Sequence, residues 1–479
     1  MRWTPQGLAE AAGGRLRRAG TRAIAGAFID SRTPRAEGLF VPIVAARDGH
    51  DFIAAAHAAG ASATLIAAGR PLPEGELTVV EVDDTLAGLS ALGRSARAGI
   101  SGPVVTISGS NGKTTTRAFV QAAVGAGFDP VLCTRGNFNN HLGLPLTLVD
   151  APHEPAAAVL ELGMSAPGEN DHLASVAAPT VHVITSIALE HLEFMGSLAA
   201  IAAAEAEPIA HLRPRADGGE AALLVVPGDE PSLLPHLPPR ADASPRVLRF
   251  GDPKAALGGP LDIEILAVEV GPRTRAVLGL RSAGGVERLE ISLRTFGAHN
   301  ARNAAAAIAV ARHLGLPLPA VVEALEAVEP VGDRGRLREL GGHLIIADCY
   351  NANPGSMVAA LDSLALLRAG RRGPLIAVLG DMLELGPDEA ELHAEIGRRA
   401  AALGIDALLG VGPRSAHTVT AARAAGLGDV AWLELDAVDE AVAWLGARLP
   451  PDQAGGAALF KASRGVRLER VVDGLAETR

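Results

Sequence analysis

The chain reads as an α/β protein of three domains: a small N-terminal α/β domain, a central P-loop-type ATPase domain whose mostly parallel sheet carries an antiparallel meander, and a C-terminal Rossmann-like domain. Three observations predict this. The 479 residues, at roughly 150 per domain, make about three domains. The apolar, β-branched run PVVTIS (103–108) leads into Gly109-Ser-Asn-Gly and then the helical TTTRAFVQAAVGAG. Beyond Glu329-Pro-Val-Gly a fresh series of apolar runs and helical segments begins and continues to the end.

Taken in order, the N-terminal domain (1–100) shows short apolar segments from Leu39 to Val80 (LFVPIV, ATLIAAG, LTVVEV) around an Ala-rich helical stretch near Phe52 to Ala59. In the central domain (101–330) further buried strands are expected at AVLEL (158–162), VHVIT (181–185) and LLVV (223–226), separated by helices, which implies parallel pairing. Between Leu261 and Phe296 the pattern changes to alternation (DIEILAVEV, TRAVLGL, ERLEISL) with Gly-Pro and Gly-Gly turns, the signature of a meander, and helix returns at Ala301 to Leu314. The third domain (331–479) reads LIIAD, a helix from Gly355, LIAVLGD, a helix from Asp388, ALLGV, a helix from Ser415, and ALF before a terminal helix.

Composition narrows the function. With 48% hydrophobic and 20% charged residues the chain is globular, and a net charge of −11 argues against nucleic acid or anionic lipid as a partner. Two cysteines, Cys133 and Cys349, are too few for a disulfide scaffold or a CxxC zinc site. Neither a signal-peptide h-region nor eighteen uninterrupted apolar residues occur, so a cytoplasmic protein without membrane insertion is expected, and a monomer. Only three lysines (Lys113, Lys254, Lys461) stand among forty arginines, so each retained lysine is a candidate for work that arginine cannot do.

Lys113 lies in Gly109-Ser110-Asn111-Gly112-Lys113-Thr114-Thr115-Thr116. Glycines there let backbone N–H groups converge on phosphate, the following helix offers its positive N-terminus, and Lys113 neutralises β/γ charge, with Thr114 placed to ligate magnesium. Ile107 stands where the standard P-loop pattern has its first glycine, so this is a shortened variant. The alternative is an ordinary glycine turn before a helix.

ATP binding leaves many chemistries open, and other strings choose among them. SGSNGKTTT (108–116), LEHLEFMGS (189–197) and GAHNARNAAAA (297–307) resemble the Mur ligases, the ATP-dependent amide-forming enzymes of peptidoglycan synthesis. TRGNFNNHLGLPLTL (134–148), ELGMSAPGE (161–169), DCYNANPGSM (348–357), GDMLELG (380–386) and KASR (461–464) are similar to the members that add D-alanyl-D-alanine, and the DNPR tetrapeptide of the tripeptide-forming members is absent. The resemblance implies ATP and Mg2+, and as substrates UDP-N-acetylmuramoyl-tripeptide and D-alanyl-D-alanine, joined through an acyl phosphate. The rivals are another Mur-type amide ligase and a catalytically degenerate nucleotide-binding protein.

It also implies roles. Thr114, Glu161 and His191 would hold magnesium, the alternatives being a turn carboxylate for Glu161 and a satisfied, partly buried histidine for His191. Asn300 and Asn303 would meet adenine, unless Asn300 is simply a helix N-cap; Arg336 would reach the phosphates and Asp348 the ribose. Asp30, Ser31 and Arg32, otherwise a solvated loop, with Asn137, Asn139 and Asn140 would hold the uridine-linked substrate. Tyr350, Asn351 and Asn353 would serve the dipeptide or domain closure, and Lys461, Ser463 and Arg464 a substrate carboxylate, the alternative being a helix N-terminal cluster without ligand. Closure implies a hinge around Pro330 to Gly335.

The sequence departs from the family most at Glu205, where a lysine carbamylated by carbon dioxide is usual. A glutamate reaches about 4 Å less far than a lysine carbamate. Glu205 is expected either to replace the carbamate at magnesium, through a water or a helix shift, making the enzyme independent of carbon dioxide, or to be a solvent-facing glutamate on an amphipathic helix. Pro208 is expected to kink or end that helix. Smaller departures are Ser186 for asparagine, Ala462 for glycine and Cys349 for serine.

Overall fold

The computed structural model describes residues 2–151, 154–215, 221–238 and 245–478, organised by three large sheets beside a two-stranded pairing of Arg2–Trp3 with Ile24–Ala25. The first is five-stranded, in the order Arg15–Arg18, Thr78–Val82, Ala63–Ala67, Leu39–Phe40, Ala27–Phe28, antiparallel only at its first pair. LFVPIV supplies only a two-residue strand, because Pro42 has no N–H to continue a ladder. The strand at Arg15–Arg18 escaped the sequence reading, since three of its four residues are arginine.

The central sheet has nine strands, in the order Gly285–Leu293, Thr274–Ser282, Ile263–Glu269, Arg246–Gly251, Leu223–Pro227, Val181–Ile184, Val104–Ser108, Ala157–Glu161, Val131–Cys133. The last seven are parallel and the first three form the expected antiparallel meander. Val104–Ser108 lies between Ala157–Glu161 and Val181–Ile184, with Ile107 opposite Glu161 and Ser108 opposite Ile184. The loops leaving these three strands therefore emerge along one carboxyl edge, where open α/β sheets bind ligands. Two helices lock that edge from behind. Lys113–Gly125 packs against the Ala-rich His299–His313, whose small side chains allow close approach and leave nearly every residue buried.

The C-terminal sheet is ordered Arg336–Leu340, His343–Asp348, Ala457–Lys461, Leu375–Gly380, Ala407–Val411, Asp429–Leu433, with one antiparallel edge pair. Its parallel register sets Asp348 beside Lys461, bringing together two candidates 113 residues apart. No helix among the described residues is long and apolar enough to cross a membrane.

Candidate active site

The phosphate-loop candidate folds as the glycines require. Gly109 and Gly112 have φ of +116° and +83°, and a Cβ would lie 2.2 Å from Thr185 Oγ1 at the first and 2.6 Å from Asn303 Oδ1 at the second. Neighbouring loops finish the fold. Ser186 Oγ accepts the Asn111 N–H at 3.0 Å, Thr185 Oγ1 donates to the Asn111 carbonyl at 2.6 Å, and Ser110 exchanges hydrogen bonds with the backbone of Ala188. Ser186, a departure in sequence, thus holds the loop by its hydroxyl.

Lys113 Nζ donates to the carbonyls of Gly109 (2.6 Å) and Ser110 (3.4 Å) and lies 3.7 Å from Glu190 Oε2. Burial disfavours its ammonium, but Glu190, Glu205 and Glu161 outweigh burial and hold its pKa above the usual lysine value. Burial conversely pushes the Glu190 carboxyl up to about 7 against the pull of Lys113.

Glu161, buried at its strand end, accepts from Thr114 Oγ1 (3.2 Å), Asn139 Nδ2 (2.9 Å) and Arg117 Nε (3.3 Å). His191 sits in the left-handed region at φ +49°, which turns its ring so that Nδ1 meets the Glu384 carboxylate of the third domain and Nε2 lies 3.9 Å from Glu190 Oε2. The third domain closes on the loop a second time through Asn353, which caps the helix Pro354–Leu366 and donates from Nδ2 to Asn111 Oδ1 at 2.9 Å. Lys461, almost wholly buried, donates to Asp348 Oδ2 (2.7 Å) and the Asn351 carbonyl (3.0 Å), and the Arg334 guanidinium covers the Tyr350 ring at 3.5 Å.

These groups line one cavity of about 760 Å³ between the central and third domains. Of the candidates, Ser110, Asn111, Gly112, Lys113, Thr114, Thr115, Asn137, Asn139, Asn140, Glu161, His191, Asn300, Asn303, Asp348, Tyr350, Asn351, Asn353 and Lys461 face it. Such a space, polar on both walls and bounded by a phosphate loop, suits a nucleoside triphosphate and an acyl acceptor together.

Comparison with known proteins fits this geometry. Residues 107–311 match the Mur ligase middle domain, and residues 334–464 match the family described as "Mur ligase, glutamate ligase domain". The UDP-N-acetylmuramoyl-tripeptide–D-alanyl-D-alanine ligase of Bacillus subtilis is 34% identical over 460 residues, 95% of this chain and 94% of that one. The chain belongs to the Mur ligase family. The Escherichia coli ligase of the same description is 33% identical over 81% of each chain. Among solved structures, MurF from Acinetobacter baumannii superposes with a TM-score of 0.85 at 29% identity, covering 100% of this chain and 99% of that one. MurF from Thermotoga maritima in complex with ADP gives 0.79 at 27% identity, covering 95% and 97%.

Several positions that the Mur ligase resemblance suggested lie elsewhere. Arg336 is exposed at the start of its strand, and Arg334, two residues earlier, lines the cavity instead. Glu205 is neither at the cavity nor in solvent. It is 1% exposed, on the helix Leu198–Ala206, and its Oε2 accepts the Gly109 N–H (2.7 Å) and Asn170 Nδ2 (3.1 Å), so it braces the phosphate loop from behind. The helix does end beside it, passing into a 3-10 turn at Glu207–His211 that contains Pro208. Asn300 is inside its helix, not its cap, and its Nδ2 donates to the Phe296 carbonyl while Asn303 bonds Asn300 and Thr116.

Ser463, buried, accepts from the Leu383 N–H and donates to the Ala352 carbonyl, and Arg464 pairs with Glu469 at the surface; neither lines the cavity. Asp30 and Arg32 pair with each other on the N-terminal domain, with the Arg32 side chain 88% exposed, away from the cavity. Ala462 packs in the third domain's core with Cys349, so its added methyl meets protein rather than ligand. The sequence reading missed Glu190, His299, Arg302 and Arg334, which line the cavity, and Glu384, which joins His191. Glu190, His299, Arg302 and Glu384 stand within the segments that carry the family resemblance, but nothing in their spacing marks them.

Proposed function

We propose that the protein uses ATP to join D-alanyl-D-alanine to UDP-N-acetylmuramoyl-tripeptide, yielding the pentapeptide precursor of peptidoglycan, ADP and phosphate. The observation that carries this reading is the shared cavity: phosphate loop and Glu161 on one wall, Asp348, Tyr350 and Lys461 on the other, in a chain aligned over 95% of its length with a ligase of that description.

Amide formation from a carboxylate is uphill in water. The tripeptide carboxylate oxygen therefore bonds to the γ-phosphorus as its bond to the ADP oxygen breaks. The dipeptide amine then attacks the acyl carbon, and phosphate leaves with the C–O electron pair as the amine proton is lost. Lys113 and the N-terminus of the helix Lys113–Gly125 offset charge on the transferring phosphoryl group, the loop being pre-shaped by Ser186, Thr185 and Glu205. Arg334 and the Asp348–Lys461 pair orient ribose, phosphate or substrate carboxylate from the third domain. The Asn353–Asn111 and Glu384–His191 contacts close the two walls together, which excludes water from an acyl phosphate that water would destroy.

Thr114, Glu161 and His191 fit magnesium in chemistry: a hydroxyl, a buried carboxylate, and an imidazole whose Nδ1 is committed so that Nε2 is free. Among the described residues no three His, Cys, Asp or Glu side chains group tightly enough to hold an ion alone. Bound there, magnesium would supply positive charge to the phosphates. Asp30, Ser31 and Arg32 would take the uridine end of the long substrate on the N-terminal domain, and Asn300 and Asn303 the adenine side. The test is phosphate release by the purified protein with Mg-ATP, omitting each substrate in turn, with mass analysis of the product. Release that requires both, with a gain of one dehydrated dipeptide, is expected; release without the dipeptide contradicts the reading.

A further inference from the structure

Glu190 is an anomaly in the central domain. Its side chain is 8% exposed and lines the cavity, yet Oε1 is buried without a hydrogen-bond partner, while Oε2 lies 3.7 Å from the Lys113 ammonium and 3.9 Å from His191 Nε2, and the Ser110 hydroxyl also acts on the carboxylate. A buried carboxylate so poorly satisfied needs a positive group to complete it. Lys113 serves only in part, because two of its three donors go to loop carbonyls and the nucleotide will claim it.

We propose that Glu190 is a ligand of the divalent cation that accompanies the nucleotide, supplying the anionic oxygen that the sequence placed at Glu205. This rests on the ATP and magnesium reading above. His191 has one nitrogen left, Nε2, and that nitrogen faces Glu190. Two ligands about 2.1 Å from one octahedral cation stand roughly 3 Å apart when adjacent, so an approach of about 1 Å from the 3.9 Å separation would bring both groups onto one ion. Glu205 is already committed to Gly109 and Asn170 behind the loop. Glu190 and His191 by themselves are too few for tight binding, and with Thr114 and Glu161 they still leave octahedral positions for phosphate oxygens, so cation affinity must depend on nucleotide.

The experiment measures free Mn2+ by electron paramagnetic resonance while titrating wild type, Glu190→Gln and Glu190→Asp with and without saturating ADP. Metal-free ADP affinity and thermal unfolding are followed in parallel. We expect wild type to bind Mn2+ tightly only with ADP and Glu190→Gln to weaken that binding by about tenfold or more. Metal-free ADP affinity should be equal or tighter, and thermal stability undiminished, because an unsatisfied buried charge has been removed. Mn2+ affinity within about twofold of wild type in folded Glu190→Gln overturns the proposal. Should Glu190→Gln fail to fold, Glu190→Asp decides: its carboxylate is withdrawn by about 1.5 Å, so wild-type Mn2+ affinity there is equally fatal. A wild type that binds no ADP refutes the nucleotide reading itself, and the proposal with it.

Discussion

Replacing Glu205 by alanine removes the acceptor that holds the first residue of the phosphate loop. Two hydrogen bonds to a buried carboxylate are lost, 2.7 Å from Gly109 N and 3.1 Å from Asn170 Nδ2. Hydrogen bonds to charged groups contribute about 1.5–3 kcal/mol each, and a buried N–H left without an acceptor costs about 1–3 kcal/mol. Offsetting this, Glu205 and Glu190 repel one another beside Lys113, and alanine relieves that. The net cost is about 2–4 kcal/mol, which for a unit the size of the matched middle domain lowers Tm by roughly 5–15 °C. Glu205→Gln retains an oxygen for Gly109 and should lose about half as much.

Calorimetry gives the stability, and the ATP dependence of phosphate release gives the functional counterpart: KM for ATP should rise about tenfold in Glu205→Ala, since a slackened loop no longer presents its N–H groups. Wild-type turnover should be the same in buffers stripped of or supplemented with bicarbonate, because no lysine stands at position 205. Wild-type Tm and ATP KM in Glu205→Ala would refute the bracing role, and stimulation by bicarbonate would refute the independence from carbon dioxide.

Three further outcomes are expected. Gly112→Ala forces a Cβ to 2.6 Å from Asn303 Oδ1 at φ +83°, a strain of at least about 1–2 kcal/mol, so ADP affinity by calorimetry should fall about tenfold or more; unchanged affinity would contradict the loop geometry. Glu384→Ala removes the carboxylate that turns His191 and joins the domains, and should cut kcat about tenfold with Tm within about 2 °C; a full wild-type kcat would detach that contact from catalysis. His182 is buried between Thr106 and Ser108, and burial lowers its pKa from 6.5 to about 3. Between those values the unfolded chain carries a proton that the folded one does not. His182 thus makes stability fall by up to about 1.4 kcal/mol per pH unit below pH 6.5, a slope that urea melts should show missing from His182→Gln.

Much of this site was legible because its residues sit at strand ends and glycine turns that sequence marks strongly. Gly109 and Gly112, flanked by a β-branched run and a helix, fixed the loop and with it Lys113, Thr114 and, across the sheet, Glu161. The alternation in 263–293 gave the meander for the same reason: period two is unmistakable when one face is buried. What stayed hidden depends on distance in three dimensions. Arg334 and Arg336 stand two positions apart where a bend enters a strand, and only the chain's path decides which reaches the cavity. Glu205 was read as a metal ligand or a surface residue, because sequence shows neither the packing that buries its helix nor the Gly109 N–H beneath it. Glu384 meets His191 only through domain closure, which no local pattern reports.

The most direct test of the central claim follows oxygen. UDP-N-acetylmuramoyl-tripeptide carrying 18O in its acceptor carboxylate is turned over with ATP and D-alanyl-D-alanine, and the released phosphate is weighed by mass spectrometry. Activation as an acyl phosphate requires one carboxylate oxygen to leave with the phosphate, so each turnover should deliver one 18O to phosphate as one amide forms. Product formed with unlabelled phosphate would contradict the acyl-phosphate route, and labelled tripeptide left unaltered while ATP is consumed would contradict the ligase itself.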